Sequence, residues 1–122
     1  MNRKTMATHN FRRLEIWQNS IELTKSVYSI LPQIPNDEKF GLKSQISRSS
    51  ISIASNIAEG SGRSTNKDFS HFLGISLGSS YELETQLILV QDIFSIECDK
   101  IITDCQAIQR KIFKLKNALI KN

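Results

Sequence analysis

The sequence predicts an all-α protein, an up-down-up-down antiparallel four-helix bundle. Three observations predict this fold. Apolar residues recur every three or four positions through four segments, short connections join these segments, and no stretch alternates polar and apolar residues as a β-strand does. The 122 residues and the 39% hydrophobic content suit one domain, residues 13–121, which follows a basic N-terminal arm, residues 1–12.

The first helix is predicted over residues 13–31. Its apolar stripe, with spacings of three and four residues, is Ile16, Ser20, Leu23, Val27 and Ile30. Pro32 and Pro35 end this helix, because proline lacks the amide hydrogen that continues a helix and disfavours helical geometry in the residue before it.

The second helix is predicted to start at Asn36, a good N-cap residue, and to end at Glu59. Its core stripe is Leu42, Ile46, Ser50, Ile53 and Ile57. Gly60 is expected to close the helix in the left-handed conformation, which glycine adopts without a steric penalty.

The third helix follows the turn "GSGRST", where Thr65 and Asp68 resemble a capping box. Its core stripe is Phe69, Phe72 or Leu73, Ser76, Ser80, Leu83, Leu87, Val90 and Phe94. The fourth helix, near residues 97–120, has the most regular heptad pattern. Its core positions are Ile101, Cys105, Ile108, Ile112, Leu115 and Leu119.

Small residues are unusually frequent on helices 2 and 3. Serine and alanine dominate residues 45–64, and "GISLGSS" places Gly74 and Gly78 inside helix 3. A glycine inside a helix costs up to about 1 kcal/mol relative to alanine, so a close approach is expected to compensate. Two explanations stay open: helices 2 and 3 pack tightly on each other, or one of them faces another subunit.

Polar residues near the end of helix 2 also allow two explanations. A carboxylate at Glu59 lies at the negative end of the helix dipole and needs a compensating partner. That partner is either Arg63 or the free amides that open helix 3. Alternatively, Asn56, Glu59 and Arg63 form an exposed recognition site.

No arrangement of residues indicates catalysis, and the protein is predicted not to be an enzyme. Glu82 and Glu84 are two residues apart on a helix and point in nearly opposite directions, so they do not share a site. One is expected to face solvent, and the other to meet a basic residue such as Lys43 or a neighbouring subunit. No cofactor is expected, and His9 and His71 stand alone, without the spacing of a metal site.

The two cysteines, Cys98 and Cys105, are expected to be buried or half-buried thiols. Seven residues apart on a helix, they are separated by about 10 Å, too far for a disulfide. No segment reaches the roughly 20 apolar residues that span a bilayer, and the N-terminus has no apolar run behind its basic residues. A cytoplasmic protein that does not enter membranes is therefore expected.

Basic residues concentrate at the two ends of the chain, around an acidic middle. Residues 1–13 and 105–122 contain no acid. The candidate nucleic-acid-binding residues are Arg3, Lys4, Arg12, Arg13, Arg110, Lys111, Lys114, Lys116 and Lys121. In an antiparallel bundle the start of helix 1 and the end of helix 4 lie together, which concentrates this charge. The alternative is that these side chains complement the helix dipole and maintain solubility.

Three strings carry a family resemblance: "FRRLEIWQNSIEL", "GLKSQISRSSISIASNIAEGSGRS" and "FSHFLGISLGSSYELETQL". Together they resemble the four-helix-bundle family named for open reading frames within intervening sequences of bacterial 23S ribosomal RNA genes, the S23 ribosomal protein family. That family also includes the accessory variability proteins of diversity-generating retroelements. The resemblance covers residues 11–120, and "SNIAEG" with "ELETQL" is specific in combination.

The resemblance implies a ring of five subunits with a basic surface or pore that contacts RNA or DNA. It also implies a second hypothesis, a protein-interaction scaffold such as a partner of a reverse transcriptase, for which the serine-rich side of helix 2 is the candidate surface. The family motif positions, expected to be structural, are Asn56, Glu59, Gly60, Glu82 and Glu84. Helix 2 departs from the family pattern at Ser49, Ser50 and Ser55, where alanine or proline is commoner.

Overall fold

The structure is a computed structural model that describes residues 10–38 and 41–121. Its four α-helices are α1 (Glu15–Ile30), α2 (Leu42–Ser61), α3 (Asn66–Phe94) and α4 (Asp99–Ile120). α2 packs on α1 and α3, and α4 packs on α3 and α1. Each helix therefore packs on the helices before and after it in the chain, and α4 closes the bundle against α1. The predicted antiparallel four-helix bundle is confirmed.

The core lies where the four predicted stripes meet. All four helices contribute large side chains that are less than 2% exposed. α1 contributes Val27, and α4 contributes Ile112. The α2 and α3 members are Ile46, Ile53, Ile57, Leu73, Leu83, Leu87 and Val90. Apolar periodicity therefore placed the core correctly, because each stripe is the face that its helix removes from water.

The connection between α1 and α2 differs from the prediction. Asn36 begins a short 3₁₀ turn, Asn36–Glu38, and α2 starts only at Leu42, after Gly41. Ile34, between the two prolines, is 1% exposed and joins the core. The prediction that helix 2 starts at Asn36 was wrong: Asn36 begins a separate 3₁₀ turn, and the α-helix begins at Leu42.

The predicted role of Gly60 was also wrong. No described glycine has a positive φ, and Gly60 lies inside α2, which continues to Ser61. A Cβ on Gly60 would lie 2.7 Å from Phe72 Cβ and 3.0 Å from Phe69 Cδ1. Gly60 therefore lets α3 approach the α2 backbone, and within residues 10–38 and 41–121 the left-handed backbone belongs to Ser95, which ends α3 with φ 55°.

The α2–α3 turn confirms the predicted start of helix 3. Thr65 is the N-cap of α3, and its Oγ1 accepts a hydrogen bond of 3.1 Å from the amide of Asp68. This bond satisfies one of the amides that an α-helix leaves free at its start.

Serines, together with Gly60 but without the two glycines of α3, make the close packing of α2 on α3. Ser76 Oγ donates to the Ile53 carbonyl at 2.8 Å, and Ser52 Oγ lies 2.8 Å from Ser79 Oγ. A Cβ on Gly74 would instead meet the Lys116 side chain of α4 at 3.1 Å, and one on Gly78 would have no neighbour within 4 Å. Tight packing of helices 2 and 3 is confirmed for the serines and was wrong for Gly74 and Gly78.

None of the helices in the described ranges is both long enough and apolar enough to cross a membrane.

Candidate nucleic-acid interface

Three parts of the chain meet toward one end of the bundle: the start of α1, the α2–α3 turn and the C-terminal half of α4. Ser70 Oγ, in the first turns of α3, donates to the Lys116 carbonyl at 3.3 Å, and Lys111 Nζ donates to Asn19 Oδ1 at 3.0 Å. We call the cations of these segments the basic end. Its members are Arg12, Arg13, Arg63, Lys67, Arg110, Lys111, Lys114, Lys116 and Lys121.

The two arginines before α1 lie in a 3₁₀ turn that side-chain hydrogen bonds hold in place. Asn10 caps the 3₁₀ turn Phe11–Arg13 through its Oδ1, which accepts from the Arg12 amide at 3.2 Å. Gln18 Nε2 donates to the Arg12 carbonyl at 2.8 Å. Both Arg12 and Arg13 are exposed. The other two basic residues predicted in this arm, Arg3 and Lys4, lie outside the described residues.

The five predicted cations of α4 and its C-terminal end have different surroundings. Arg110, Lys114 and Lys121 are exposed. Lys111 faces α1, where it bonds Asn19 and lies 3.5 Å from Glu15 Oε1. Lys116 is half-buried, and its side chain covers Gly74.

The predicted nucleic-acid-binding residues omitted two cations of this end: Lys67, and Arg63, which was considered only as a partner of Glu59 or as part of a recognition site. Both lie where α2 gives way to α3, and the helix order alone places that turn beside the start of α1 and the end of α4. Among the described residues, the ion pairs of the basic end are Glu59–Arg63 at 2.6 Å and Glu15–Lys111 at 3.5 Å. Its remaining cations have no carboxylate partner, so the end keeps a strong excess of positive charge.

The opposite end of the bundle is acidic. The last turn of α3, the α3–α4 connection and the first turns of α4 carry Asp92, Glu97, Asp99 and Asp104. Lys100 pairs with Asp104 at 2.9 Å, and Gln91 Nε2 donates to Asp99 Oδ1 at 3.0 Å. The charge asymmetry along the chain therefore becomes an asymmetry between the two ends of the bundle.

Two motif residues at the end of α2 make internal contacts. Glu59 pairs with Arg63, whose guanidinium also lies 4.6 Å from the centre of the Phe72 ring. Asn56 Nδ2 donates to the carbonyl and to Oγ of Ser52, at 2.9 and 3.0 Å. Of the two partners predicted for Glu59, the structure has Arg63.

Glu82 and Glu84 have unlike surroundings. Glu84 accepts hydrogen bonds from Gln106 Nε2 at 2.9 Å and from Gln109 Nε2 at 2.8 Å, so it joins α3 to α4. Glu82 is exposed beside a groove of ≈ 330 Å³ between α2 and α3. The expected lysine partner was wrong: two amides bind Glu84, and Lys43 Nζ lies 3.4 Å from Asn36 Oδ1.

Both cysteines are buried free thiols, as predicted. Burial, together with the negative charge of Glu84, raises the pKa of Cys105 to about 12, although a hydrogen bond from Gln109 opposes the shift. Burial and the nearby Glu97 and Asp99 raise the pKa of Cys98. Thiols of this kind stay protonated near neutral pH and are poor nucleophiles.

Within the described parts of the chain, no group of three or more His, Cys, Asp or Glu side chains lies close enough together to hold a metal ion.

Comparisons with known proteins give a family and similar solved structures. A family model described as 23S rRNA-intervening sequence protein matches residues 12–114, from before α1 through most of α4. A crystal structure of a protein with unknown function from the S23 ribosomal protein family, from Bacteroides thetaiotaomicron VPI-5482, is similar with a TM-score of 0.76 and 26% sequence identity. The similarity covers 83% of this chain and 97% of that chain. No match is found among curated proteins.

Proposed function

The chain belongs to the family of 23S rRNA-intervening sequence proteins, and from this premise we propose that it is a non-catalytic, ring-forming helical bundle that binds nucleic acid. RNA or DNA contacts the basic end, the ring has five subunits, and the protein acts in the cytoplasm. The subunit number follows from the family resemblance, and the nucleic-acid contact follows from the charges of this chain.

The observation that carries the proposal is the convergence of basic residues at one end of the bundle. Arg12, Arg13, Lys67, Arg110 and Lys114 come from three separate parts of the chain, and all are exposed without a carboxylate partner. Cations that neutralise phosphates release condensed counterions, which favours binding and makes it sensitive to salt. Solubility alone does not require the cations to lie together.

The first test is fluorescence anisotropy of labelled duplex DNA and structured RNA across a salt series. We expect binding at low salt, with log affinity falling linearly against log salt at a slope of about −0.9 per phosphate contact on duplex DNA. Absence of binding to either nucleic acid at low salt contradicts the proposal.

Charge-removing variants locate the contact. Arg110→Gln with Lys114→Gln removes two exposed cations of the basic end, so the salt slope is expected to shrink by about two contacts on duplex DNA. Lys25→Gln with Lys100→Gln is the matched control, because these lysines pair with Glu22 and Asp104 away from the basic end. Equal losses in both variants would assign the binding to net charge and not to the basic end.

The ring is tested by the mass in solution. α3 exposes Ile75, Ile88, Leu89 and Ile93 by 40 to 61%, an apolar surface that the single bundle leaves uncovered. Light scattering is expected to give five times the mass of one chain, and Leu89→Glu is expected to lower it. A monomeric wild-type protein contradicts the ring.

The same α3 surface supports a second candidate, a protein-interaction scaffold with a partner such as a reverse transcriptase. The serine-rich side of α2, the surface predicted for it, is partly engaged with α3 through Ser49 and Ser52. The exposed residues of this side include Gln45, Arg48 and Ser55. A monomeric protein that binds no nucleic acid, yet binds a purified reverse transcriptase in a manner that Leu89→Glu abolishes, would favour this candidate.

A further inference from the structure

We propose that the nucleic-acid surface includes a base-stacking site, formed by Gly78 and Tyr81 of α3 and Phe113 of α4, that takes unpaired bases of a single strand. We call these three residues the aromatic platform. The inference rests on the proposed function and deepens it, because it names the form of nucleic acid that the bundle prefers.

Two contacts fix the register of α3 against α4 at the platform. The Lys116 side chain covers Gly74, and Gln109 Nε2 lies 3.4 Å from the Ser80 carbonyl. Gly78 lies between Gly74 and Ser80, and Phe113 lies between Gln109 and Lys116. The platform residues therefore occupy the same stretch of this antiparallel helix pair.

Helical spacing places the platform side chains along the line where α3 and α4 meet. Phe113 follows Gln109 by four residues and so shares the face of α4 that reaches Glu84 of α3. Gly78 and Tyr81 follow Gly74 by four and seven residues, on the side of α3 that meets Lys116. Both rings are half exposed, Tyr81 by 51% and Phe113 by 54%.

Gly78 is the residue that internal packing leaves unexplained. It lies inside α3, where glycine lowers helix stability, and a Cβ there would have no neighbour within 4 Å. Gly60 shows what a packed glycine looks like in this fold, since α3 side chains lie against it. In the proposed platform, the space at Gly78 lets a flat ligand approach the α3 backbone between the rings of Tyr81 and Phe113.

The charges around Phe113 indicate a nucleic acid base as the occupant. Arg110 precedes Phe113 by three residues, and Lys114 follows it directly, both exposed, while Lys116 lies three residues beyond. Two carboxylates of α3 lie near the platform: Glu84 is bound by two glutamine amides, and Glu82, which directly follows Tyr81, is exposed. Aromatic rings beside cations bind single strands by stacking bases and neutralising phosphates together.

A second copy of the chain is the competing occupant of the exposed surface of α3. Of the exposed apolar residues of α3, Ile88, Leu89 and Ile93 lie toward the acidic end, whereas Ile75 lies beside the platform, between Gly74 and Gly78. α3 carries no cation from Gly74 to Phe94, so the cations near the platform come from α4. The platform lies where α4 is free of acids, from Cys105 to its end.

The test compares a fluorescein-labelled 12-nucleotide oligo(dU) with a 12-base-pair duplex, by anisotropy with full-length protein. Phe113→Ala is expected to weaken oligo(dU) binding about ten-fold and duplex binding less than two-fold, because stacking needs an unpaired base. Tyr28→Ala is the matched control, since Tyr28 is 46% exposed on α1 away from the platform. It is expected to leave both affinities unchanged.

The variant Gly78→Gln separates a loss of oligo(dU) binding at the platform from a loss caused by misfolding. Glutamine favours helix over glycine, so the melting temperature is expected to rise, while the longer side chain fills the platform and weakens oligo(dU) binding. A variant that is more stable and yet binds the single strand less tightly supports the platform directly.

The outcomes separate this inference from the proposed function. If Phe113→Ala and Gly78→Gln bind oligo(dU) as the wild type does, while Arg110→Gln with Lys114→Gln loses binding, the platform is wrong and the basic end stands. If the wild type binds neither probe, both fail. If the platform variants lower the mass in light scattering but not the affinity for oligo(dU), the platform holds another subunit, and the inference is overturned.

Discussion

Similar residue types have different roles in the α2–α3 and the α3–α4 interfaces. Between α2 and α3, polar side chains bond one another: Ser49 Oγ donates to Gln86 Oε1 at 2.6 Å, and Ser52 meets Ser79 at 2.8 Å. Between α3 and α4, Glu84 is bound by two glutamines on the inner side, whereas Tyr81 and Phe113 remain exposed on the outer side.

The difference teaches that residue type alone does not separate structural from functional positions. Serines that look like a recognition face are used to hold two helices together, because a buried hydroxyl needs a partner. A glycine has a structural role where a neighbouring helix packs against it, as at Gly60. Where no neighbour packs against it, as at Gly78, it leaves space for a ligand. The partner that each residue finds across an interface decides its role.

The largest expected effect breaks the α2–α3 interface at Gly60. Gly60→Ala places a Cβ 2.7 Å from Phe72 Cβ, and overpacking of this kind costs about 2 kcal/mol of unfolding free energy. Urea unfolding followed by circular dichroism measures the loss. Gly62→Ala is the control, because its Cβ would meet only the Glu59 carbonyl at an ordinary 3.7 Å. Equal effects at the two glycines would contradict the close approach at Gly60.

The next effect tests the inner side of the α3–α4 interface. Glu84→Ala removes the acceptor of two hydrogen bonds to a charged group and is expected to cost about 1.5 kcal/mol in urea unfolding. Glu82→Ala, on the exposed side of α3, is expected to change stability by less than about 0.5 kcal/mol. A reversed order would mean that the exposed carboxylate stabilises the fold.

A smaller effect measures the serine contact between α2 and α3. Ser52→Ala and Ser79→Ala, singly and together, form a double-mutant cycle for the 2.8 Å hydroxyl contact. We expect a coupling energy of about 0.5 to 1 kcal/mol, the usual size for a neutral hydrogen bond. A coupling near zero would show that the α2–α3 interface is held by shape alone.

The smallest effect concerns pH and Cys105. Its pKa is raised from 9.0 to about 12, so the folded protein keeps a proton that the unfolded chain releases. Stability is therefore full below about pH 9 and is lost as the pH rises toward 12, with a loss of about 0.4 kcal/mol already at pH 9. The unfolding free energy at pH 7 and 9 measures this loss, which Cys105→Ala is expected to reduce. An equal loss in that variant contradicts the assignment.

The sequence predicted what depends on local periodicity. The four helices and the core stripes followed from apolar spacing, and the Thr65 cap followed from a local pattern. The start of α2 was missed because Asn36 and the two acids after it, a pattern typical of a helix start, here form a 3₁₀ turn that the α-helix does not continue. The left-handed residue that ends α3 is Ser95. Because it is a serine and not a glycine, the sequence gives no signal for the end of this helix.

The candidate site was predictable only in outline. Chain order alone brought the two basic segments together, and the same argument applied to the α2–α3 turn would have found Arg63 and Lys67. Which cations stay free was not predictable, because Lys111 finds Asn19 and Glu15 on α1, far away in sequence. The two glutamines that bind Glu84 are likewise long-range partners.

The unlike charges at the two ends of the bundle gain a new meaning in a closed ring. Cyclic symmetry turns every subunit the same way up, because no two-fold axis lies in the plane of such a ring. In the proposed ring, if the bundle axes run along the ring axis, all basic ends would open on one face and all acidic ends, with Asp92, Glu97 and Asp99, on the other. Such an assembly would be a polarised disc that steers a polyanion to one side and repels it from the other.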